Sequence, residues 1–406
     1  MNKPRILLTI HYLEIGGAET SLIGLLQALD YCKVEVDLFV YSHKGPLMKL
    51  IPPQVNLLPE SRKYTITEMP ISDVLRMGYI DVALARLLAK FKYRLFRQKN
   101  KSELPEDMGL YQYMANHVAP LLPNINPEIT YDLAVNFCGM QNVVLDKVKA
   151  KKKVAWIHTD YSKVDTDRNV DLSMWSRFDT IISISDDVSR TFCEVFPSLS
   201  PKLTIIENIL SPEFVRMRAT STELPGDMKR EGNEIILLSV GRYSPAKNYE
   251  NIPFILKKII EKGVSNIRWY IIGYGDDSLI RHNIAKTGME NHVILLGKRE
   301  NPYPYIESCD IYVQPSRFEG KSVTVREAQI LGKPVIVTNY PTARSQIKHG
   351  IDGFIVPLEN DTCAEAMSKL ITDKNRLIEL SENIKNHDFG NQREVEKFYD
   401  LIEYAK

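Results

Sequence analysis

The segment RFEGKSVTVREAQILGKPVIVT, Arg317 to Thr338, carries the densest structural signal in the chain. Ser322 to Leu331 can form a short helix, with the Ser322 hydroxyl as N-cap and Gly332, with Pro334 just beyond it, as the stop. Gly320 is expected to turn the chain tightly and to leave free amides facing outward at the helix start, an arrangement that attracts anions. The PVIVT that follows is an apolar, β-branched run of the kind buried in a parallel sheet. Glu319 precedes the helix and Glu327 lies more than a turn inside it, about 10 Å apart along the axis at about 1.5 Å per residue. That separation suits two contacts on one long polyhydroxylated ligand better than a paired acid and base. An ordinary βαβ unit with two surface glutamates has the same spacing.

The strand–helix rhythm extends in both directions. Arg5 to Ile10 reads as a strand, Gly16-Gly17 as a loop, Ala18 to Leu29 as a helix and Val34 to Tyr41 as a second strand. LAVNF, VAWIH, TIISIS and LTIIEN continue the first set, and IILLSVG, WYIIGYG, HVILLG, IYVQPS and PVIVT form a second. The expected fold class is α/β with two Rossmann-like domains: residues 1–210, a polar linker at 211–232, and residues 233–385. A C-terminal helix within 386–406 is expected to pack back on the first domain. GYGDD at Gly273 to Asp277 lacks a third glycine and reads as a turn.

Composition narrows the function classes. The 406 residues exceed one small core, and Lys+Arg 52 against Asp+Glu 51 leaves a net charge of +1, which argues against a generally basic nucleic-acid binder. Cys32, Cys138, Cys193, Cys309 and Cys363 are odd in number and form no CxxC pair, so neither a disulfide framework nor a zinc site is indicated. The first residues, MNKPRILLTIHYLEIGG, read as a first strand and not as a signal peptide, and no run of about 18 apolar residues is present. A reducing, cytoplasmic location is the simplest expectation.

One segment breaks the rhythm. Within an insert at 71–126, Leu75 to Lys101 places Leu84, Leu87, Leu88, Phe91 and Leu95 on one helical face, with Arg86, Lys90, Arg94 and Arg97 mostly opposite. Such a helix can lie on an anionic membrane surface, or it can pack its apolar face on the core and leave a solvated basic face.

Several polar features fall at expected strand ends. Arg242 and Lys247 share one loop and could neutralise a diphosphate. His158 ends VAWIH, and Gly16-Gly17 permits close backbone approach. Each alone also fits a surface or structural role. Asp165-Thr166-Asp167 follows no apolar strand and reads as a loop.

Taken together, Gly16-Gly17-Ala18-Glu19, His158, Gly241-Arg242 with Lys247-Asn248, and Glu319-Gly320 with Glu327 before Gly332-Lys333-Pro334 resemble the family-4 retaining glycosyltransferases, or glycosyl transferases group 1, of bacterial surface-polysaccharide type. The resemblance implies the GT-B fold, two Rossmann-like domains facing across a cleft, with the donor held mainly by the second. It implies that Glu327 binds the donor ribose and Glu319 the transferred sugar, that Arg242 and Lys247 hold the diphosphate, and that amides around Gly320, Lys321, Ser322 and Val323 assist. His158 would lie near the sugar's primary hydroxyl, and Gly16 and Gly17 near the reacting centre. No metal and no cofactor are implied. The implied partners are a nucleotide diphosphate sugar, more in keeping with uridine than guanosine, and a saccharide or lipid-linked saccharide acceptor. In that context Arg86, Lys90, Lys92, Arg94 and Arg97 could dock on anionic headgroups at the inner face of the cytoplasmic membrane. Ala-Gln-Ile-Leu after Glu327 departs from the smaller residues common there, and the insert matches no shared motif, which leaves the acceptor open. A nucleotide-sugar isomerase or hydrolase on the same fold, or a non-catalytic nucleotide-sugar-binding subunit, are the rival functions.

Overall fold

A computed structural model describes residues 3–101, 104, 106–220, 226–228 and 230–403. The chain divides into a first unit, Met1–Ile209 with Gln392–Lys406, and a second, Leu210–Asn391. In chain order the first unit holds β1 (Arg5–Ile10), β2 (Glu35–Val40), β3 (Asn56–Leu57), β4 (Glu106–Asp107), β5 (Tyr131–Cys138), β6 (Ala150–Ile157), β7 (Val164–Asp165), β8 (Thr180–Ser183) and β9 (Leu203–Ile205). The second holds β10 (Ile235–Val240), β11 (Ile267–Ile272), β12 (Val293–Gly297), β13 (Ile311–Gln314), β14 (Val335–Thr338) and β15 (Phe354–Val356).

The first sheet runs β3-β2-β1-β5-β6-β8-β9 and the second β12-β11-β10-β13-β14-β15, while β4 and β7 pair only with each other. Every pairing in both sheets is parallel, as the near-continuous apolar strands require when helices cover both faces. In the second unit Leu238 is in register with Tyr270 of β11 and Tyr312 of β13. A buried relay crosses these three strands: Trp269 Nε1 donates to Ser239 Oγ at 2.9 Å, and Ser239 Oγ donates to the Val313 carbonyl at 2.6 Å. In the first unit the buried Asp37 carboxylate accepts from Arg5 at 3.1 Å, Asn56 Nδ2 at 2.8 Å and Tyr131 Oη at 2.6 Å, joining β1, β2, β3 and β5.

Three expectations are corrected. Where a linker was expected at 211–232, helix Pro212–Thr220 forms and buries Val215 and Ala219 in the second unit's core; residues 221–225 and 229 lie outside the described residues. The terminal segment joins the first unit from a later start than 386: residues up to Asn391 belong to the second unit, while helix Glu394–Glu403 places Val395, Phe398, Leu401 and Ile402 in the first unit's core, and 404–406 lie outside the described residues. Nor is Asp165-Thr166-Asp167 a plain loop. Asp165 lies in β7 and pairs with Arg97, while the Asp167 carboxylate caps helix Arg168–Trp175 by accepting from the Asn169 and Val170 amides.

Candidate active site

Chain order reverses between β10 and β13, with β11 and β12 on one side of β10 and β13 to β15 on the other. Open α/β sheets bind ligands beyond the carboxyl ends of the strands at such a reversal. The loop after β10 carries Arg242 and Lys247, and the loop after β13 carries Glu319 to Ser322, so both flank this point.

Side chains clip the two loops together. Asn248, buried and left-handed at φ 61, donates to the Pro315 carbonyl at 2.9 Å and accepts from Asn251 Nδ2 at 2.6 Å. The Arg317 amide donates to the Ala246 carbonyl at 2.8 Å, and the Arg317 guanidinium pairs with Glu250 at 2.7 Å. Gly241 is required by packing: a Cβ there would lie 2.7 Å from Tyr249 Oη and 3.1 Å from Lys247 Cε.

Within this frame Lys247 Nζ lies 2.6 Å from Glu319 Oε1, which also accepts from Gln314 Nε2 at 2.9 Å and Ser316 Oγ at 2.6 Å. The residues assigned by resemblance to the diphosphate and to the sugar are therefore in direct contact. Glu327 occupies a different environment on helix Val323–Ile330. Only 3% of it is exposed, its Oε1 accepts from Tyr303 Oη at 2.8 Å, and burial pushes its carboxyl up to about 7.

The helix start differs in detail from expectation. Ser322 is at the N-cap position but its hydroxyl makes no cap bond and instead contacts Thr324 Oγ1 at 3.2 Å. Its amide is not free: it donates to Gln346 Oε1 at 3.0 Å, and Gln346 Nε2 donates back to the Ser322 carbonyl at 2.6 Å. Gly320 turns without left-handed backbone, whereas Gly332, at φ 71, stops the helix as expected. Lys321 is half-buried and Val323 buried; Arg242 is exposed at the head of its loop.

Gly16, Gly17 and His158 belong to the first unit. Gly16 precedes helix Gly17–Ala28 after β1, where the first sheet's order reverses between β1 and β5, and the Glu19 carboxylate folds over the space a Cβ at Gly16 would take. His158 follows β6. Its Nε2 lies 2.9 Å from the Phe137 carbonyl, a contact only an Nε2–H can make as a hydrogen bond, and the ring stacks on Trp156 with Asn208 alongside. Burial pulls His158 down to about 4, so it is neutral near pH 7.

The basic helix spans Ile80–Lys99, and its five named cations separate into two groups. Lys90, Lys92 and Arg94 are exposed. Arg86 is buried and donates to the Ile66 and Met69 carbonyls, and Arg97 pairs with Asp165, so these two face the protein and correct the expectation of five docking cations.

Gln314, Ser316, Tyr303 and Gln346 support the site without having been singled out in the sequence, whereas Asn248 was marked only as part of the Lys247-Asn248 pair. Gln314 and Ser316 had a signal, since residues two apart at a strand end share a face and Glu319 follows closely. Tyr303 had none, because only helix Tyr303–Ser308 folding beside helix Val323–Ile330 brings it to Glu327. Among the described residues no three His, Cys, Asp or Glu side chains group as metal ligands, and no helix is long and apolar enough to cross a membrane.

Residues 221–387 match the family model described as Glycosyl transferases group 1. A UDP-Gal:alpha-D-GlcNAc-diphosphoundecaprenol alpha-1,3-galactosyltransferase of Escherichia coli is 29% identical over 189 residues, covering 43% of this chain and 48% of that protein. The capsular polysaccharide biosynthesis glycosyltransferase CapM of Staphylococcus aureus is 29% identical over 228 residues, 55% of this chain and 58% of that one. The chain spans about half the length of the curated relatives it matches. Anabaena Alr3699/HepE, solved in complex with UDP and glucose, superposes with TM-score 0.66 at 15% identity over 98% of this chain and 99% of its own. A mutant of S. aureus TarM, in complex with Fondaparinux, alpha-GlcNAc-glycerol and UDP, gives TM-score 0.67 at 13% identity over 98% and 100%. At such identities the likeness establishes the fold, GT-B, with its two Rossmann-like units. The family match lies wholly inside the second unit, which holds Arg242, Lys247, Glu319 and Glu327, and it is over this unit that the chain is similar to the glycosyl transferases group 1.

Proposed function

We propose that this protein is a retaining, metal-independent hexosyltransferase. It moves a hexose or N-acetylhexosamine from a nucleotide diphosphate sugar, with uridine favoured, to a saccharide or lipid-linked saccharide in surface-polysaccharide or glycolipid synthesis. The Lys247–Glu319 contact at the β10/β13 reversal carries the reading, since it sets a cation for phosphate and a carboxylate for sugar hydroxyls side by side. The UDP-containing names among the relatives and solved structures support the uridine preference.

In this reading the diphosphate approaches Arg242 and Lys247, which offset its charge, and the carboxylate of Glu319 accepts from hydroxyls of the transferred sugar. Glu327 accepts from the ribose hydroxyls. Amides along Gly320, Lys321, Ser322 and Val323 assist, with Ser322 first leaving Gln346. The acceptor oxygen bonds to the anomeric carbon on the face from which the carbon–oxygen bond to the diphosphate breaks, and the acceptor's proton passes to a leaving diphosphate oxygen. Configuration is thereby retained, and the protein's work is positioning and charge stabilisation. Neutral His158 supplies a hydrogen bond near the sugar, beside the Gly16-Gly17 loop. The acceptor reaches the protein at the cytoplasmic side of an anionic membrane.

Thermal shift with uridine and guanosine diphosphates, without added metal, tests the donor site. A shift with the uridine nucleotide that disappears in Lys247→Ala is expected. A folded protein that no nucleotide stabilises would point to the non-catalytic rival.

A further inference from the structure

Helix Ile80–Lys99 is turned inside out relative to a usual surface helix. Of the fifteen large apolar side chains exposed among the described residues, six lie on it: Ile80, Leu84, Leu87, Leu88, Phe91 and Leu95. Leu84 is 60% exposed and Phe91 59%. At about 100° per residue the six fall within about a 100° arc, one continuous outward row. The inward face carries Val82, Ala83, Arg86 and Ala89, all buried, so small and polar side chains pack on the protein while the leucines stay exposed.

The rotation is fixed by specific bonds. Arg86 donates to the Ile66 and Met69 carbonyls. One turn or more further on, Tyr93 Oη bonds to Asp107, Arg97 pairs with Asp165, and the Phe96 ring lies 6.0 Å from Tyr113. A rotation that buried the leucines would carry Arg86 out to water and leave the Ile66 and Met69 carbonyls facing apolar side chains without their donor.

Charge identifies what covers the row. Lys90 and Arg94 flank it on one side and Lys92 and Lys99 on the other, all exposed. The helix's one acid, Asp81, is tied to Lys63 at 2.8 Å. A second copy meeting this one through the same row would oppose cation to cation. An anionic bilayer instead takes the leucines among its acyl chains and the cations among its headgroups.

We infer that helix Ile80–Lys99 is an interfacial anchor, lying along an anionic membrane with its Leu84–Leu95 row inserted and Lys90, Lys92, Arg94 and Lys99 at the headgroups. Arg86 and Arg97 are positioning residues that hold the helix in this rotation. The inference deepens the membrane part of the proposed function and rests on it only for the source of a lipid-linked acceptor.

Flotation of the whole protein with vesicles tests it, using equimolar phosphatidylglycerol and phosphatidylcholine against phosphatidylcholine alone. The protein is expected to float with the anionic vesicles. Leu84→Gln/Leu88→Gln/Phe91→Gln should weaken binding by more than about tenfold. Lys90→Gln/Lys92→Gln/Arg94→Gln should weaken it about a hundredfold at low salt, from about fivefold per charge. Both variants change exposed positions, and unchanged stabilisation by uridine diphosphate, if the wild type shows it, separates anchor loss from donor-site failure; circular dichroism checks the fold independently. Equal flotation of wild type and apolar variant would overturn the inference. So would absence of wild-type flotation, or sedimentation showing a dimer that the apolar variant abolishes while neither form floats.

Discussion

At the residue scale, Glu327 makes the second unit's stability depend on pH. Its carboxyl moves from the ordinary 4.5 to about 7 through burial, so the folded chain keeps a proton that the unfolded chain releases. This contribution is full below about 4.5 and is lost as pH rises through about 7, amounting to about 3 kcal/mol at about 1.4 kcal/mol per unit. Glu327→Gln, which still offers an oxygen to Tyr303, should shrink the difference in Tm between about pH 5 and about pH 8. In the proposed ribose role the hydroxyls favour the ionised carboxylate of Glu327, so uridine diphosphate affinity should climb over the same range in the wild type and not in the variant. His158 has the opposite sign: lowered from 6.5 to about 4, it contributes stability present above 6.5 and lost as pH falls through about 4. Titration followed by imidazole NMR should show no charged His158 near neutrality. For turnover, the proposed roles of Lys247 at the diphosphate and Glu319 at the sugar predict that Lys247→Ala and Glu319→Ala each cost about a hundredfold in kcat.

At the scale of elements, the two loops of the second unit depend on Gly241 and Asn248. Gly241→Ala would drive a methyl group against Tyr249 Oη and the Lys247 stem, displacing Lys247 from Glu319. The expected result is a folded protein whose stabilisation by uridine diphosphate is lost, read by thermal shift. Sequence had marked the loops through Arg242, Lys247 and Glu319, whereas the Asn248–Pro315 clip joins residues 67 apart and was visible only after folding. On helix Ile80–Lys99 the amphipathic pattern was legible but its direction was not. Periodicity gives the same wheel whichever face meets the protein. Arg86→Met, which loses the bonds to two carbonyls and leaves both acceptors unpaired, should destabilise the first unit by about 2 kcal/mol in urea titration.

For the whole molecule, the division into units follows packing rather than chain order. The C-terminal helix places fully buried Phe398 in the first unit's core, 6.4 Å from Trp156, after the chain has completed the second unit. Phe398→Ala should therefore cost about 3–5 kcal/mol in the first unit's unfolding while leaving uridine diphosphate protection of the second intact, measured by urea titration with and without nucleotide. The polar composition of 211–232 suggested a linker because Ser, Thr, Glu and Gly dominate its middle. Helix Pro212–Thr220 forms there because Val215 and Ala219, too few to give a clear period, find the second unit's core.

By itself, the sequence determined the two parallel sheets, since apolar β-branched runs alternating with helices leave few other ways to bury both faces of a strand. It also determined which loops carry the polar residues, because those loops follow the strands directly. Tertiary structure decided the rest: that Lys247 touches Glu319, that Glu327 is closed under Tyr303, that His158 is held neutral, and that the leucine row of Ile80–Lys99 points outward. Each of these depends on partners distant in the chain, whose burial and distance local periodicity does not encode.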